Sequence, residues 1–340
     1  MGERVMNSAT WYWITVTAGL VLSAVFFIVR GRRRGISFFR MGAGYAVGLI
    51  LGWILARLIC FLLFPSSGDQ SLMERWFCFT PDAYSFAAGG IGFCLGNLLP
   101  DLRDRKRRSM VADALALPAC MLAAFFRFAE IFLDNIGLAE LYKVGLPDIE
   151  EGSLLANFPF AVSDAWGMWY FSISTLSTLL ILVIIILIAF RERRLAASGL
   201  EAEGMIMNRS AYLMCLIPFL LELARAQTLI FYFVHVEQVL CALVMIGLLI
   251  GLCRRRKTQT GRFPASPLIL TVLCFSVNGI TQYMMDRPWE FEGIIPEGLF
   301  IWINERLSGF SFSVFFVTTA ALLAIWLVLE NRYWKSRVKG

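Results

Sequence analysis

The stretch Asp113-Ala-Leu-Ala-Leu-Pro-Ala-Cys-Met-Leu-Ala-Ala-Phe-Phe-Arg127-Phe-Ala-Glu130-Ile-Phe-Leu-Asp134-Asn135 puts ionisable side chains inside what otherwise reads as membrane. At about 1.5 Å of rise per residue, the helix from Asp113 to Arg127 covers roughly 21 Å. It therefore carries one acid near its start and an ionic group near its far end. Arg127, Glu130 and Asp134 fall at i, i+3 and i+7, on one helical face. A charge at membrane depth costs several kcal/mol, so this face turns toward protein or a watery hollow and marks a candidate site. An Arg127–Glu130 pair that merely ties two helices together explains the same pattern.

Working outward, the whole chain has the character of this stretch. Its 340 residues are 58% hydrophobic and only 16% charged, and mean hydropathy is +0.68. These values exclude an ordinary soluble domain and indicate an all-α, polytopic membrane bundle of a single domain spanning 1–340. The net charge of +6 is concentrated in short basic clusters between apolar runs, which report membrane orientation rather than a nucleic-acid partner. Eight dispersed cysteines without a C-x-x-C pair argue against both a metal site and a disulfide framework. No cofactor is expected, because no phosphate-cradling glycine loop, zinc spacing or serine-histidine-acid arrangement occurs.

Nine spans are expected: about 11–29, 41–64, 83–100, the helix from Asp113 to Arg127, 166–190, 211–226, 228–252, 266–284 and 309–329. The basic clusters Arg30–Arg34, Arg103–Arg108, Arg191–Arg194, Arg254–Lys257 and Lys335–Lys339 alternate with acid-rich loops. The positive-inside rule then puts the N-terminus outside and the C-terminus in the cytoplasm. Residues 211–226 are short for a span of about 30 Å, which predicts a short or tilted crossing. The acidic loop 134–165, with Asn157-Phe-Pro-Phe160, reads as a small extracytoplasmic lid. The run Ala88-Gly89-Gly90-Ile91-Gly92 allows a neighbouring backbone or a lipid headgroup to approach closely.

The polar groups at membrane depth gather toward the outer leaflet: Arg57, Arg127, Glu130, Arg225, His235, Gln238 and Arg287. Buried guanidinium groups suit a phosphate-bearing headgroup, which they bind through paired, charge-assisted bonds. Arg225 and Arg287 also fit the ordinary role of interface residues that snorkel to water. His235, the only histidine, titrates near neutrality and could serve as a base or as a hydrogen-bonded helix end. Tyr12 could donate a phenolic proton or belong to the aromatic belt.

Taken in order, these residues resemble the prolipoprotein diacylglyceryl transferases of the bacterial inner membrane. Trp11-Tyr12 is similar to the family's W-Y-G, Ala56-Arg57-Leu58 through Phe64 to its G-A-R-L-G-Y-V-L-F-Y, and Ser85 through Gly92 to its S-F-H-G-G-L-I-G. Arg105–Arg108 with Asp113 and Pro118 resemble its basic loop and D-x-x-A-P, and Arg127 stands at the arginine of R-x-G-N-F. Asn157-Phe-Pro-Phe-Ala161 is similar to its F-P-x-A loop and His235-Val-Glu-Gln238 to its H-P-x-Q.

The resemblance implies a multi-pass protein that takes phosphatidylglycerol or a similar anionic phospholipid and a prolipoprotein signal peptide as partners. It implies that Arg57 and Arg127 hold the phosphate, that Tyr12 and Gln238 orient the glycerol, that Gly89, Gly90 and Glu130 line the headgroup site, and that His235 takes the thiol proton. It further implies a two-span insertion at 166–226 into a seven-span core. The departures fall on functional positions: Ala88 stands for a histidine, Glu130 for an asparagine, Leu240 and Cys241 for Tyr-Glu, and no arginine occurs near Ile280 or Thr281. A non-catalytic relative that binds lipid or a partner is the alternative. A small-solute transporter is a third reading, against which stands the lack of an inverted repeat.

Overall fold

The computed structural model describes residues 2–63, 84–133, 152–163, 169–199, 201–225, 229–231, 234–287 and 296–339, with single residues at 73, 76, 149, 290 and 294. All six acids of the expected lid (Asp134, Glu140, Asp148, Glu150, Glu151, Asp164) lie outside these residues, as does nearly all of the loop 65–82. Nine helices occur among the described residues: α1 (Gly2–Arg33), α2 (Phe38–Leu63), α3 (Phe86–Leu98), α4 (Arg105–Ala129), α5 (Ile173–Ala197), α6 (Met205–Leu221), α7 (Val236–Thr260), α8 (Ser266–Asp286) and α9 (Glu297–Lys339). Eight of them, all but α3, are long and apolar enough to cross a membrane. Two short antiparallel ribbons accompany them, β1 (Ala161–Ser163) with β2 (Trp169–Phe171) and β3 (Ile230–Phe231) with β4 (Val234–His235).

The sequence places its helix stops chemically. Asp104 caps α4 by accepting from the Arg107 N–H at 3.0 Å, and Ser172 caps α5 by accepting from Thr175 at 3.2 Å. Gly204 and Gly261, with φ of 82° and 72°, start α6 and end α7 in the left-handed region. The expected short crossing is longer than its apolar run indicates. The helix begins at Met205, and with a 3-10 turn through Ala224 it reaches 20 residues.

Its early start has a physical cause in α4. Asp113, 4% exposed, accepts from the backbone N–H groups of Gly204 (2.8 Å), Ile206 (3.1 Å) and Met207 (3.2 Å). A buried carboxylate thus satisfies N–H groups that the first turn of α6 leaves without helical partners.

Helix α3, of 13 residues, runs antiparallel to α2 along most of its length. At one end the Ser85 N–H donates to the Ala56 carbonyl at 3.0 Å. At the other, Asp101 pairs with Arg40 at 2.5 Å. Between these latches the helices touch through backbone. A Cβ on Gly92 would lie 2.6 Å from the Leu51 carbonyl oxygen, and one on Gly96 would lie 2.7 Å from the Gly48 Cα. The glycine-rich run therefore serves helix packing.

The basic ends of the helices share one layer. Arg30 and Arg34 on α1 and its exit hold Glu192 on α5 at 2.8 and 2.6 Å. Arg337 on α9 meets Glu203 at 2.9 Å, and Arg255 on α7 donates to the Glu203 carbonyl at 3.0 Å. Between the two ends the surface is apolar, with Val25, Ile50, Leu182, Ile186, Leu243, Ile269, Leu273 and Phe316 exposed. Such a belt has no place in water and fits lipid tails.

Candidate functional site

The polar groups of the opposite end converge on the start of α3. Glu237, in the first turn of α7, accepts from the Phe86 and Ala87 N–H groups, both at 2.7 Å. Ser85 caps the same turn by accepting from Ala88 N–H at 3.1 Å. Arg127, in the last turn of α4, lies with its guanidinium 4.0 Å from the centre of the Phe86 ring, a cation–π contact. Arg57 is 4% exposed and follows Ala56, whose carbonyl receives the Ser85 N–H. Arg57, Arg127 and His235 thus belong to elements that meet at one place.

Glu130 is the hub of this node. Its carboxylate accepts from Arg127 Nη1 at 2.9 and 3.2 Å, from the Ser174 hydroxyl at 2.8 Å and from Arg225 Nη2 at 3.2 Å. Arg225 also pairs with Glu222 at 3.4 Å. Five charged side chains, Arg127, Glu130, Glu222, Arg225 and Glu237, are each at most 8% exposed. The carboxylates of Glu130 and Glu222 face the buried Arg225 guanidinium from two sides and offset the cost of burying its charge. Arg225 is therefore a buried member of the node and not the snorkelling residue that its position at a span end implies.

Tyr12 closes the node from α1: its hydroxyl lies 3.5 Å from that of Tyr84. His235, 2% exposed, ends strand β4 opposite Ile230 and immediately precedes α7. Gln238 turns away from the charges, its amide donating to the Phe219 carbonyl on α6 at 3.1 Å. Gly89 packs against Ala56, and around a Cβ at Gly90 nothing lies within 4 Å. Arg287 sits apart, paired with Glu290 at 2.8 Å and with 37% of its side chain exposed, as an interface residue should be.

Residues 158–160 pack against the helices at this end. The Thr175 hydroxyl donates to the Pro159 carbonyl at 2.6 Å, and the Ser172 N–H donates to the Phe160 carbonyl at 2.8 Å. Phe158 packs on Phe132 with ring centres 6.0 Å apart, and Phe132 stacks with Trp11 at 6.5 Å. The Asn157-Phe-Pro-Phe160 motif is thereby tied to α1, to the end of α4 and to the start of α5.

Glu222, Glu237, Ser174 and Tyr84 complete the node, and the linear pattern gives little warning of them. The one available signal is spacing: Glu222–Arg225 repeats, in reverse order, the i,i+3 step of Arg127–Glu130. Chemically, the node holds guanidinium groups and the N-terminus of α3, two kinds of group that bind phosphate. Both already face the chain's own carboxylates. Among the described residues no group of histidine, cysteine and acid side chains is arranged to hold a metal ion. Comparison of the chain with protein-family models, with curated proteins and with solved structures finds no match.

Proposed function

We propose that this protein binds the headgroup of an anionic phospholipid at the Arg127–Arg225 node, as a divergent relative of the prolipoprotein diacylglyceryl transferases. The observation that supports the reading is the meeting at the start of α3 of Arg127, against the Phe86 ring, with Arg225, joined to it through Glu130, on elements whose neighbours carry Arg57 and His235. Phosphatidylglycerol of the outer leaflet of a bacterial inner membrane is the lipid that the resemblance implies. The reaction implied is attack of a lipobox cysteine sulfur on the terminal glyceryl carbon. A C–S bond forms, the C–O bond to phosphate breaks, glycerol phosphate leaves, and His235 takes the thiol proton. A thiol is a poor nucleophile until it is deprotonated, so the histidine is the group that this step requires.

Glu130 favours a second reading, lipid or partner binding without transfer. Charge developing on a leaving phosphate is stabilised by cations that are not already neutralised. Here Glu130 bonds Arg127 through both oxygens, and Glu237 occupies the α3 N-terminus.

One experiment separates the two. The purified protein is incubated with phosphatidylglycerol and a lipobox peptide, and both peptide mass and retained lipid are measured. A diacylglyceryl adduct that disappears in His235→Ala establishes transfer. Retained phosphatidylglycerol without an adduct establishes binding alone. Retention no greater than that of phosphatidylcholine rejects both. Under either reading Glu130→Asn, which frees Arg127, raises phosphatidylglycerol retention, by roughly tenfold if one charge-assisted bond is gained.

A further inference from the structure

We propose that residues 152–160 are a membrane anchor: at the end of the bundle opposite the basic layer, Leu154, Leu155 and Phe158 insert into the lipid leaflet. Leu154 is 92% exposed, Leu155 54% and Phe158 60%. Single exposed hydrophobic residues are ordinary, but a cluster of them marks a surface that meets lipid or another protein. The segment is also without charge. From Gly152 to Ser163 the chain reads Gly-Ser-Leu-Leu-Ala-Asn-Phe-Pro-Phe-Ala-Val-Ser, although acids flank it at Glu151 and Asp164.

Height decides between lipid and water. Two helices serve as rulers from the basic layer, where Arg30 holds Glu192 at 2.8 Å. Along α1 the nineteen steps from Arg30 back to Trp11 rise roughly 29 Å, and along α5 the nineteen from Glu192 back to Ile173 rise the same. A hydrocarbon core is about 30 Å thick, so Trp11 and Ile173 stand at its far boundary. Residues 158–160 are fastened to both. Phe158 packs on Phe132, which stacks on Trp11, and the Phe160 carbonyl accepts from the Ser172 N–H, one residue before Ile173. Trp11 and Trp13, 55% and 50% exposed, carry the amphipathic rings typical of that level. The apolar cluster is therefore level with the boundary instead of standing clear of it in water.

Leaving water also requires that backbone groups be paired. Within the segment the Ala156 N–H donates to the Ser153 carbonyl at 3.0 Å, and the Phe160 and Ala161 N–H groups donate to the Asn157 carbonyl at 2.8 and 3.1 Å. Pro159 has no N–H to satisfy. Two local turns thus meet donors that lipid could not. The Thr175 hydroxyl, bonded to the Pro159 carbonyl at 2.6 Å, neighbours Ser174, which donates to Glu130. The anchor therefore fixes the depth of the charged node as well as its own.

The full chain, carrying a photoreactive benzoylphenylalanine at position 154 or 158, is reconstituted in nanodiscs of phosphatidylcholine alone, so that anion binding at the node plays no part. After illumination, lipid adducts are counted by mass spectrometry. Ile186 in the apolar belt is the lipid-facing reference, and Glu201, exposed beyond α5, is the aqueous one. Position 154 should give adducts at a yield close to that of 186 and about tenfold or more above that of 201. Leu154→Asp combined with Leu155→Asp should lower the adduct at 158 by about tenfold or more, because burying one leucine already represents such a factor.

Both leucines are exposed, so the double variant should fold, which thermal unfolding in detergent checks. Should it fail to fold, Leu154→Ser carries the same comparison. Adducts at 154 no more frequent than at 201, or a yield at 158 unchanged in the folded variant, overturn the anchor. Adducts to neighbouring protein without lipid adducts make the cluster a protein contact and overturn it as well.

Discussion

Asp113 on α4 and Glu130 in the turn that ends it do different work. Asp113 holds the first turn of α6 through three backbone N–H groups. Replacing it with alanine strands buried donors, so Asp113→Ala should lower stability by about 2 kcal/mol or more, measured as thermal or denaturant unfolding in detergent. Glu130→Ala removes the partner of two buried arginines and should cost about 3–5 kcal/mol in the same assay. The charges themselves were plain in the sequence, because ionisable groups in an apolar run cannot hide. Their partners were not: Gly204 and Met207 lie 91 and 94 residues from Asp113, and Arg225 lies 95 from Glu130. Arg225 reads as a span-end residue along the chain, and only the fold sets it beside Glu130.

At the scale of elements, the seam between α2 and α3 depends on the missing side chains of Gly48, Gly52, Gly92 and Gly96. Gly96→Ala puts a methyl 2.7 Å from the Gly48 Cα and 2.8 Å from the Val47 carbonyl oxygen. Backbone cannot swing aside as a side chain can, so a loss of about 1–3 kcal/mol is expected in chemical unfolding. Gly90→Ala, with open space around the new methyl, should leave stability within about 0.5 kcal/mol of the parent. The glycine pattern was legible as a close approach, but whether to lipid or to helix was not, because both need the same absence of side chain. The start of α6 was hidden for a similar reason. Residues 205–209 carry Asn208 and Arg209 in a polar neighbourhood, and it is the Asp113 carboxylate from another helix that allows the turn to begin there.

For the whole molecule, the alternation of basic and acidic loops sets the expected orientation, because membrane orientation is written in local composition. The contacts of Arg30, Arg34, Arg255 and Arg337 gather four of the basic ends in one layer. A fluorescent protein fused after Gly340 should therefore mature in the cytoplasm, and alkaline phosphatase fused there should stay inactive. The reverse result would invert every span. Helix α3, too short by length and composition to count as a crossing, still runs the course of α2 from Ala56 to Arg40. Because α2 and α3 meet atom to atom along their main chains, they can neither part slightly nor slide. If a lipid binds as proposed, its acyl tail would have to enter between other helices, whose contacts are made of movable side chains.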